Sequence, residues 1–101
     1  MNKFANLHLA ENAKILSKTL PGKQSKKMLA IQNAMEGSIV SYPKKMPIAI
    51  KRAKGAIIED VDGNLFIDFF SCAGVLNLGH CNPYVLEYVK KQQEELIWKN
   101  R

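Results

Sequence analysis

The residues that could carry chemistry lie between positions 60 and 81. Three carboxylates, two thiols and an imidazole stand in this stretch: Asp60, Asp62, Asp68, Cys72, His80 and Cys81. A calcium loop of the EF-hand type that begins at Asp60 needs glycine at its sixth position and glutamate at its twelfth. Leu65 and Ser71 occupy those positions, so the sequence excludes such a loop and favours a hairpin turn instead.

The thiols and the imidazole do not form a recognisable metal or nucleophile motif. A structural zinc site uses four ligands, usually paired by short spacings, and Cys72, His80 and Cys81 have no such partners. A Cys/His nucleophile needs a third group that orients the base, and the sequence indicates none. We therefore expect no metal site and no catalytic residue among these side chains.

Two glycines, Gly74 and Gly79, bound a stretch of small residues. A P-loop would end in Gly-Lys-Ser or Gly-Lys-Thr, whereas this stretch ends in Gly79-His80-Cys81. The glycines therefore predict tight turns or close backbone approach, which also leaves room for a ligand or another subunit to come near. Asp68 lies in an apolar run, so we expect it to face an edge or to be hydrogen-bonded, in a structural role.

The elements that position these residues begin with two predicted helices. Apolar residues recur at helical spacing from 5 to 20, and Pro21-Gly22 ends the pattern. A second helix is predicted to start with Ser25 as its N-cap and to end at Gly37. The Tyr42-Pro43 and Met46-Pro47 steps then predict an extended connection.

The centre of the chain predicts strands, and its end predicts a helix. Residues 48–52 alternate as a strand, and two β-rich runs, 56–61 and 65–70, flank the Asp62-Gly63-Asn64 turn. The end of the second run is apolar enough to be buried on both faces, so the sheet requires a partner. Asn82 and Pro83 predict the start of a helix that runs to about Trp98, with its buried face at Val85, Val89 and Leu96.

Composition argues against nucleic acid and membranes as partners. The 101 residues carry a net charge of +6, but the lysines fall in dispersed pairs and no basic run reaches five residues. A small basic binding module stays open as an alternative, although its aromatic residues are not interleaved with basic ones on one face. The first twenty residues form neither a signal peptide nor a membrane span, so we expect a cytoplasmic protein with reduced thiols.

The central motifs resemble one known family. The segment from Gly55 to Phe69 is similar to the N-terminal hairpin of the class-III aminotransferases, and the segment from Gly74 to Pro83 resembles their Gly-His-x-x-Pro motif. The resemblance runs in order from about Pro21 to Ile97. It implies an α+β fragment of a fold-type-I enzyme that depends on pyridoxal phosphate, with N-terminal helices, a small antiparallel sheet and a C-terminal helix.

The resemblance also implies roles for domains and residues. Residues 1–24 would be an N-terminal helical extension, and residues 25–101 would be part of the small domain, truncated before the large cofactor-binding domain. The family is homodimeric and places a loop of this segment against the substrate. That loop would be Ser71, Cys72, Ala73 and Gly74, with Ala73 nearest the substrate. The structural turns would be formed by Asp62, Gly63, Gly79, His80 and Pro83.

The upstream motifs indicate an amino donor. Leu20-Pro21-Gly22, Ser41-Tyr42-Pro43 and the run from Pro47 to Gly55 most resemble the branch of the family that moves an amino group from 2,4-diaminobutyrate to 2-oxoglutarate, giving aspartate semialdehyde and glutamate. A branch that uses 4-aminobutyrate or another ω-amino donor is the alternative. The family's cofactor-binding lysine and phosphate loop would follow residue 101. We therefore expect the isolated chain to bind no pyridoxal phosphate and to be inactive.

Overall fold

A three-stranded antiparallel sheet lies at the centre of the fold. The computed structural model describes residues 4–37 and 46–96. Strand β1 is Ile50–Lys54, β2 is Ile57–Asp60 and β3 is Leu65–Ile67, in the order β1-β2-β3. The hairpin predicted around the Asp-Gly step is confirmed, with Ile58 opposite Phe66. Strand β1 begins two residues later than the alternation predicted.

Three helical segments accompany the sheet. Helix α1 is Lys23–Met35, the four-residue α2 is Ser71–Gly74, and α3 is Pro83–Glu95. The Asn82 side chain caps α3 by accepting hydrogen bonds from the backbone amides of Tyr84 and Val85, as its sequence signature predicts. The predicted Tyr42-Pro43 connection and the predicted helix end at Trp98 lie outside the described residues.

The helix predicted over residues 5–20 is wrong. Only Ala5–Leu7 forms a single 3-10 turn. The Leu9 amide donates to the Lys54 carbonyl at 3.2 Å, and Lys14 and Leu65 exchange two backbone hydrogen bonds at 2.9 and 2.7 Å. The backbone groups of an exposed sheet edge need partners, and this segment supplies them in place of its own helical bonds. We call residues 8–17 the strap. The domain boundary that the sequence predicts at residue 24 stays a prediction.

The N-cap predicted at Ser25 is also wrong. Helix α1 begins at Lys23, with Gly22 in the cap position and no cap bond from its own chain neighbours. Ser25 is fully buried, and its hydroxyl accepts a hydrogen bond from the Ala49 amide at 3.2 Å. The cap comes from Asp62 in the hairpin turn, whose carboxylate accepts from the amides of Gln24 at 2.7 Å and Ser25 at 2.9 Å. A distant residue has therefore replaced the local cap.

The apolar core is small. Among the described residues, only Ile57 and Ile58 are buried hydrophobic side chains, whereas Ser25, Asp60 and Asn64 are fully buried polar ones. The buried face predicted for α3 is wrong for this chain, because its members are exposed: Val85 by 43%, Val89 by 42% and Leu96 by 47%. No other described element packs over that face closely enough to cover these side chains.

Candidate functional site

The turn between β2 and β3 is built by one buried carboxylate. Asp60 accepts hydrogen bonds at one oxygen from the backbone amides of Asp62 and Asn64, both at 2.9 Å. Its other oxygen accepts from the Asn64 side-chain amide, also at 2.9 Å. Gly63 has a φ of +85°, which glycine adopts without the steric cost a Cβ would impose. Asp62 and Gly63 thus lie in the turn where the sequence placed them.

Asn64 joins this turn to the strap. Its side-chain oxygen accepts from the amides of Leu16 at 2.6 Å and Ser17 at 2.9 Å, and its side-chain nitrogen donates to the Ser17 hydroxyl at 3.0 Å. Every hydrogen-bonding atom of the buried side chain has a partner, as burial of a polar group requires. The turn therefore organises the strap, helix α1 and the sheet together.

The electrostatics of Asp62 follow from its role as the cap of α1. Desolvation opposes ionisation of this carboxyl, but hydrogen bonds from the Gln24 and Ser25 amides and from the Ser25 hydroxyl outweigh it and lower the pKa of Asp62. The N-terminus of a helix also favours a negative charge. The charged form of Asp62 is therefore the form that the fold stabilises.

A second polar cluster lies where β3 ends. The Asp68 carboxylate contacts the His80 ring nitrogen Nε2 at 2.6 Å, across twelve positions of sequence, and both side chains are largely buried. Its other oxygen accepts from the amides of Phe70 and Ser71, both at 2.9 Å. Desolvation opposes ionisation of Asp68, but the hydrogen bonds from His80, Ser71 and Phe70 and the attraction of the His80 charge lower its pKa.

The predicted pocket loop has an unusual backbone. Ser71, Cys72, Ala73 and Gly74 all have positive φ, of 50°, 48°, 61° and 83°. At Cys72 and Ala73 both dihedral angles match the left-handed helical region, so α2 is a left-handed turn. Its last three residues are exposed, so the side chains of Cys72 and Ala73 are open to contact from outside the turn. We call Ser71–Gly74 the left-handed turn.

Close backbone contact brings His80 next to β1. Gly55 and His80 exchange two backbone hydrogen bonds of 2.9 Å. A Cβ at Gly79 would lie 2.8 Å from the Gly55 Cα, and Gly79 has a φ of +81°. Gly79 and His80 therefore define the path into the cap of α3, which Pro83 follows as the first helical residue.

Two open apolar pockets flank the left-handed turn in sequence. One of about 490 Å³ lies between residues 75–79 and the start of α3, with Val85 and Leu86 in its wall. The other, of about 340 Å³, includes Asp68, Phe69 and Phe70. Both thiols, Cys72 and Cys81, are free and exposed. Within residues 4–37 and 46–96 no three potential metal-ligating side chains converge, and no helix is long and apolar enough to cross a membrane.

Three features of this site escaped the sequence analysis. The contact between Asp68 and His80, the cap that Asp62 gives to α1, and the connecting role of Asn64 each join residues that are 12 to 48 positions apart. No local pattern encodes such pairings. The one available signal was a carboxylate in an apolar run, because a buried charge needs a partner.

Comparison with known proteins identifies the site's relatives. Residues 39–101 match the family model for class-III aminotransferases. A diaminobutyrate–2-oxoglutarate aminotransferase of Haemophilus influenzae is 42% identical over 59 residues, which is 58% of this chain and 13% of the relative. An ornithine aminotransferase of Plasmodium yoelii superimposes with a TM-score of 0.68 at 26% identity, over 78% of this chain and 20% of that one.

A third relative carries the cofactor in its description. An ornithine aminotransferase of Toxoplasma gondii, whose structure reveals partial occupancy of PLP at the active site, superimposes with a TM-score of 0.62 at 27% identity, over 76% of this chain and 18% of that one. The chain spans a fifth or less of the length of these three relatives. The matched segment contains β1 to β3, the left-handed turn and the Asp68–His80 contact. The chain belongs to the class-III aminotransferases, a family of pyridoxal-phosphate-dependent transaminases.

Proposed function

We propose that this chain supplies one wall of the active site of a pyridoxal-phosphate-dependent aminotransferase. The observation that carries the proposal is the family match over residues 39–101, which includes the whole of the left-handed turn. Cys72, Ala73 and Gly74 are exposed in that turn, so nothing in the described chain stands between them and a substrate. Ala73 is the residue proposed to lie nearest the substrate.

We propose that the described residues alone hold no pyridoxal phosphate. Among the described residues no buried side-chain nitrogen or oxygen atom lacks a hydrogen-bond partner, so there is no orphaned buried polar group of the kind a cofactor would satisfy. Their lysines are exposed, apart from the half-buried Lys54. The cofactor supplies the electron sink for amino transfer, and a lysine outside these 101 residues is proposed to hold it. The isolated chain is accordingly inactive.

The proposed reaction moves an amino group from 2,4-diaminobutyrate to 2-oxoglutarate and gives aspartate semialdehyde and glutamate. The name of the Haemophilus influenzae relative supports this donor. Ornithine is a second candidate, because the sequence similarity to an ornithine aminotransferase of Rattus norvegicus extends over 83% of this chain, against 58% for the Haemophilus influenzae relative. 4-Aminobutyrate remains the third donor to be tested.

We further propose that the chain is part of a larger, homodimeric assembly in the cytoplasm, and its exposed apolar side chains support the presence of a covering partner. Phe69 is 91% exposed and Val75 is 74% exposed, and both flank the left-handed turn. Large apolar side chains exposed to this extent are found where a partner covers the surface. We assign the 25–101 segment to the small domain of that assembly.

A chimeric enzyme tests the proposed function. Residues 39–101 replace the corresponding segment of the Haemophilus influenzae diaminobutyrate aminotransferase, and glutamate formation is measured with diaminobutyrate, ornithine and 4-aminobutyrate in turn. We expect transamination with a preference for diaminobutyrate. A folded chimera that binds the cofactor and transaminates none of the donors would refute the proposal. The control is the same chimera in which the Haemophilus influenzae segment is put back in place of residues 39–101.

The inactivity of the isolated chain has a separate test. The purified chain is mixed with pyridoxal phosphate, treated with borohydride and digested for mass spectrometry. We expect scattered, substoichiometric labelling of exposed lysines, since none has a built environment. Stoichiometric labelling of one lysine, together with turnover, would contradict the expectation.

A further inference from the structure

The left-handed turn is held in a conformation that its own residues disfavour. A left-handed helical conformation is sterically unfavourable for a residue with a Cβ, and Ser71, Cys72 and Ala73 all carry one. Cys72 and Ala73 are exposed, so packing of their side chains does not offset the cost. A Cβ at Gly74 would meet nothing within 4 Å. The turn has backbone bonds of its own, from the Gly74 amide to the Phe70 carbonyl at 3.2 Å and from the Val75 amide to the Ser71 carbonyl at 3.0 Å. The flanking residues supply the side-chain contacts that hold it.

Asp68, before the left-handed turn, and His80, after it, contact each other. Before the turn, one Asp68 oxygen accepts from the Phe70 and Ser71 amides at 2.9 Å, which fixes the direction in which the chain enters. After it, His80 contacts the other Asp68 oxygen at 2.6 Å. The thirteen-residue segment from Asp68 to His80 therefore closes through a single carboxylate.

Asp68 and His80 are both hydrogen-bonded through their backbones to the residues that connect β1 and β2. The Asp68 amide donates to the Ala56 carbonyl at 2.8 Å, and the His80 backbone is paired on both its polar groups with Gly55. The neighbouring residues Gly55 and Ala56 thus hold both ends of the segment. The Asp68 side chain is 8% exposed and that of His80 is 18% exposed, so water competes weakly for their contact.

We propose that Asp68 and His80 are positioning residues, whose contact keeps the left-handed turn in shape and so sets the pocket wall that the turn forms. The relevance to substrate rests on the proposed function. The conformational part does not, because it concerns only atoms of this chain. A charge-assisted hydrogen bond in a partly buried site is strong enough to offset much of the backbone cost of the turn.

Nuclear magnetic resonance of the full 101-residue chain tests the proposal. A residue with φ near +60° gives a strong cross-peak between its own amide and α protons, which reports the left-handed conformation directly at Cys72 and Ala73. In Asp68→Ala we expect these cross-peaks to weaken to the level of ordinary loop residues. The amide shifts of β2, from Ile57 to Asp60, report in the same spectra whether the sheet is intact.

A milder variant keeps the test valid if Asp68→Ala fails to fold. His80→Gln preserves the two amide bonds of Asp68 and offers a neutral side-chain amide in place of the ring. His80→Ala offers nothing. We expect hydrogen exchange at the Phe70 and Ser71 amides to be about tenfold faster in His80→Ala than in the unmodified chain, with partial recovery in His80→Gln.

A matched control separates this contact from ion pairs in general. Glu59 pairs with Arg52 and Lys51 on the same sheet, and Glu59→Gln removes that pairing without touching the segment 68–80. The turn's cross-peaks and exchange rates should then be unchanged. Left-handed signatures and exchange rates that stay unchanged in His80→Ala overturn the proposal, whether or not Asp68→Ala folds. A chimera that is inactive although Asp68 and His80 hold the left-handed turn in shape would refute the proposed function and would leave the present proposal standing.

Discussion

At the scale of single residues, Asn64 shows how one side chain connects parts of the chain that are far apart. It is fully buried, and its amide both accepts from the strap and donates to Asp60. An aspartate at this position would have no side-chain donor to offer and would face the Asp60 carboxylate. Asparagine is therefore the residue type that the four contacts require.

Replacing Asn64 with alanine should destabilise the fold strongly. The change leaves the Leu16 and Ser17 amides and one Asp60 oxygen without their partner, and groups left unsatisfied in this way cost about 2–4 kcal/mol together. Urea denaturation followed by circular dichroism gives the free energy of unfolding. Asn77→Ala, at an exposed position, is the matched control and should be nearly neutral. Equal stability of the two variants would contradict the assigned role of Asn64.

Gly79 and Gly74 form a second comparison at this scale, because they share a positive φ but differ in surroundings. Alanine at Gly74 would meet open space, whereas at Gly79 its Cβ would lie 2.8 Å from the Gly55 Cα. We expect Gly74→Ala to cost about 1 kcal/mol, from backbone strain alone. Gly79→Ala should cost clearly more and should disrupt the Gly55–His80 pairing. Similar free energies of unfolding for both variants would show that the close approach is unimportant.

At the scale of elements, what the sequence could predict depends on how local the determining contacts are. The β2–β3 hairpin follows from the Asp-Gly turn, and α3 follows from Asn82 and Pro83, which act within three residues of themselves. The helix predicted over the strap does not form, because the strap's backbone bonds go to Lys54 and Leu65, 45 to 51 positions away. Helical spacing of apolar residues does not reveal such an alternative.

The carboxylate that caps α1 makes the stability of the fold depend on pH. The folded pKa values of Asp62 and Asp68 lie below the ordinary aspartate value of about 3.9. Both carboxylates therefore stabilise the fold above that value, and the stabilisation is lost as the pH falls through their folded pKa values. The urea midpoint should decline as the solution is acidified below about pH 4.

Asp62→Asn separates the cap from other acid-sensitive groups. The variant loses the charge at the N-terminus of α1, so its midpoint at neutral pH should be lower and its decline in acid should be shallower. Glu87→Gln is the control, since the exposed Glu87–Lys91 pair contributes little. An Asp62→Asn profile parallel to that of the unmodified chain would show that this carboxylate is not linked to folding.

At the scale of the whole molecule, the chain exposes more surface than its mass accounts for. A folded monomer of 11.4 kDa has an accessible surface of roughly 5,800 Å², whereas this chain exposes 8489 Å². Its radius of gyration is 16.3 Å, against about 13 Å for a compact domain of 100 residues. The sequence predicts the need for a partner, because the end of the run 65–70 is apolar on both faces. It also predicts a buried face for α3, and the described residues provide no core to cover that face.

This surface predicts that the isolated chain binds hydrophobic dyes. Phe69 is 91% exposed, so Phe69→Thr should reduce the fluorescence of bound anilinonaphthalene sulfonate and change the free energy of unfolding by less than about 0.5 kcal/mol. Phe66, which is half-buried and lies opposite Ile58 in the sheet, is the comparison: Phe66→Ala should destabilise the chain by about 1 kcal/mol. If Phe69→Thr destabilises the chain as much as Phe66→Ala does, then Phe69 is covered within the chain itself. The exposed surface would then no longer support a partner subunit at that position.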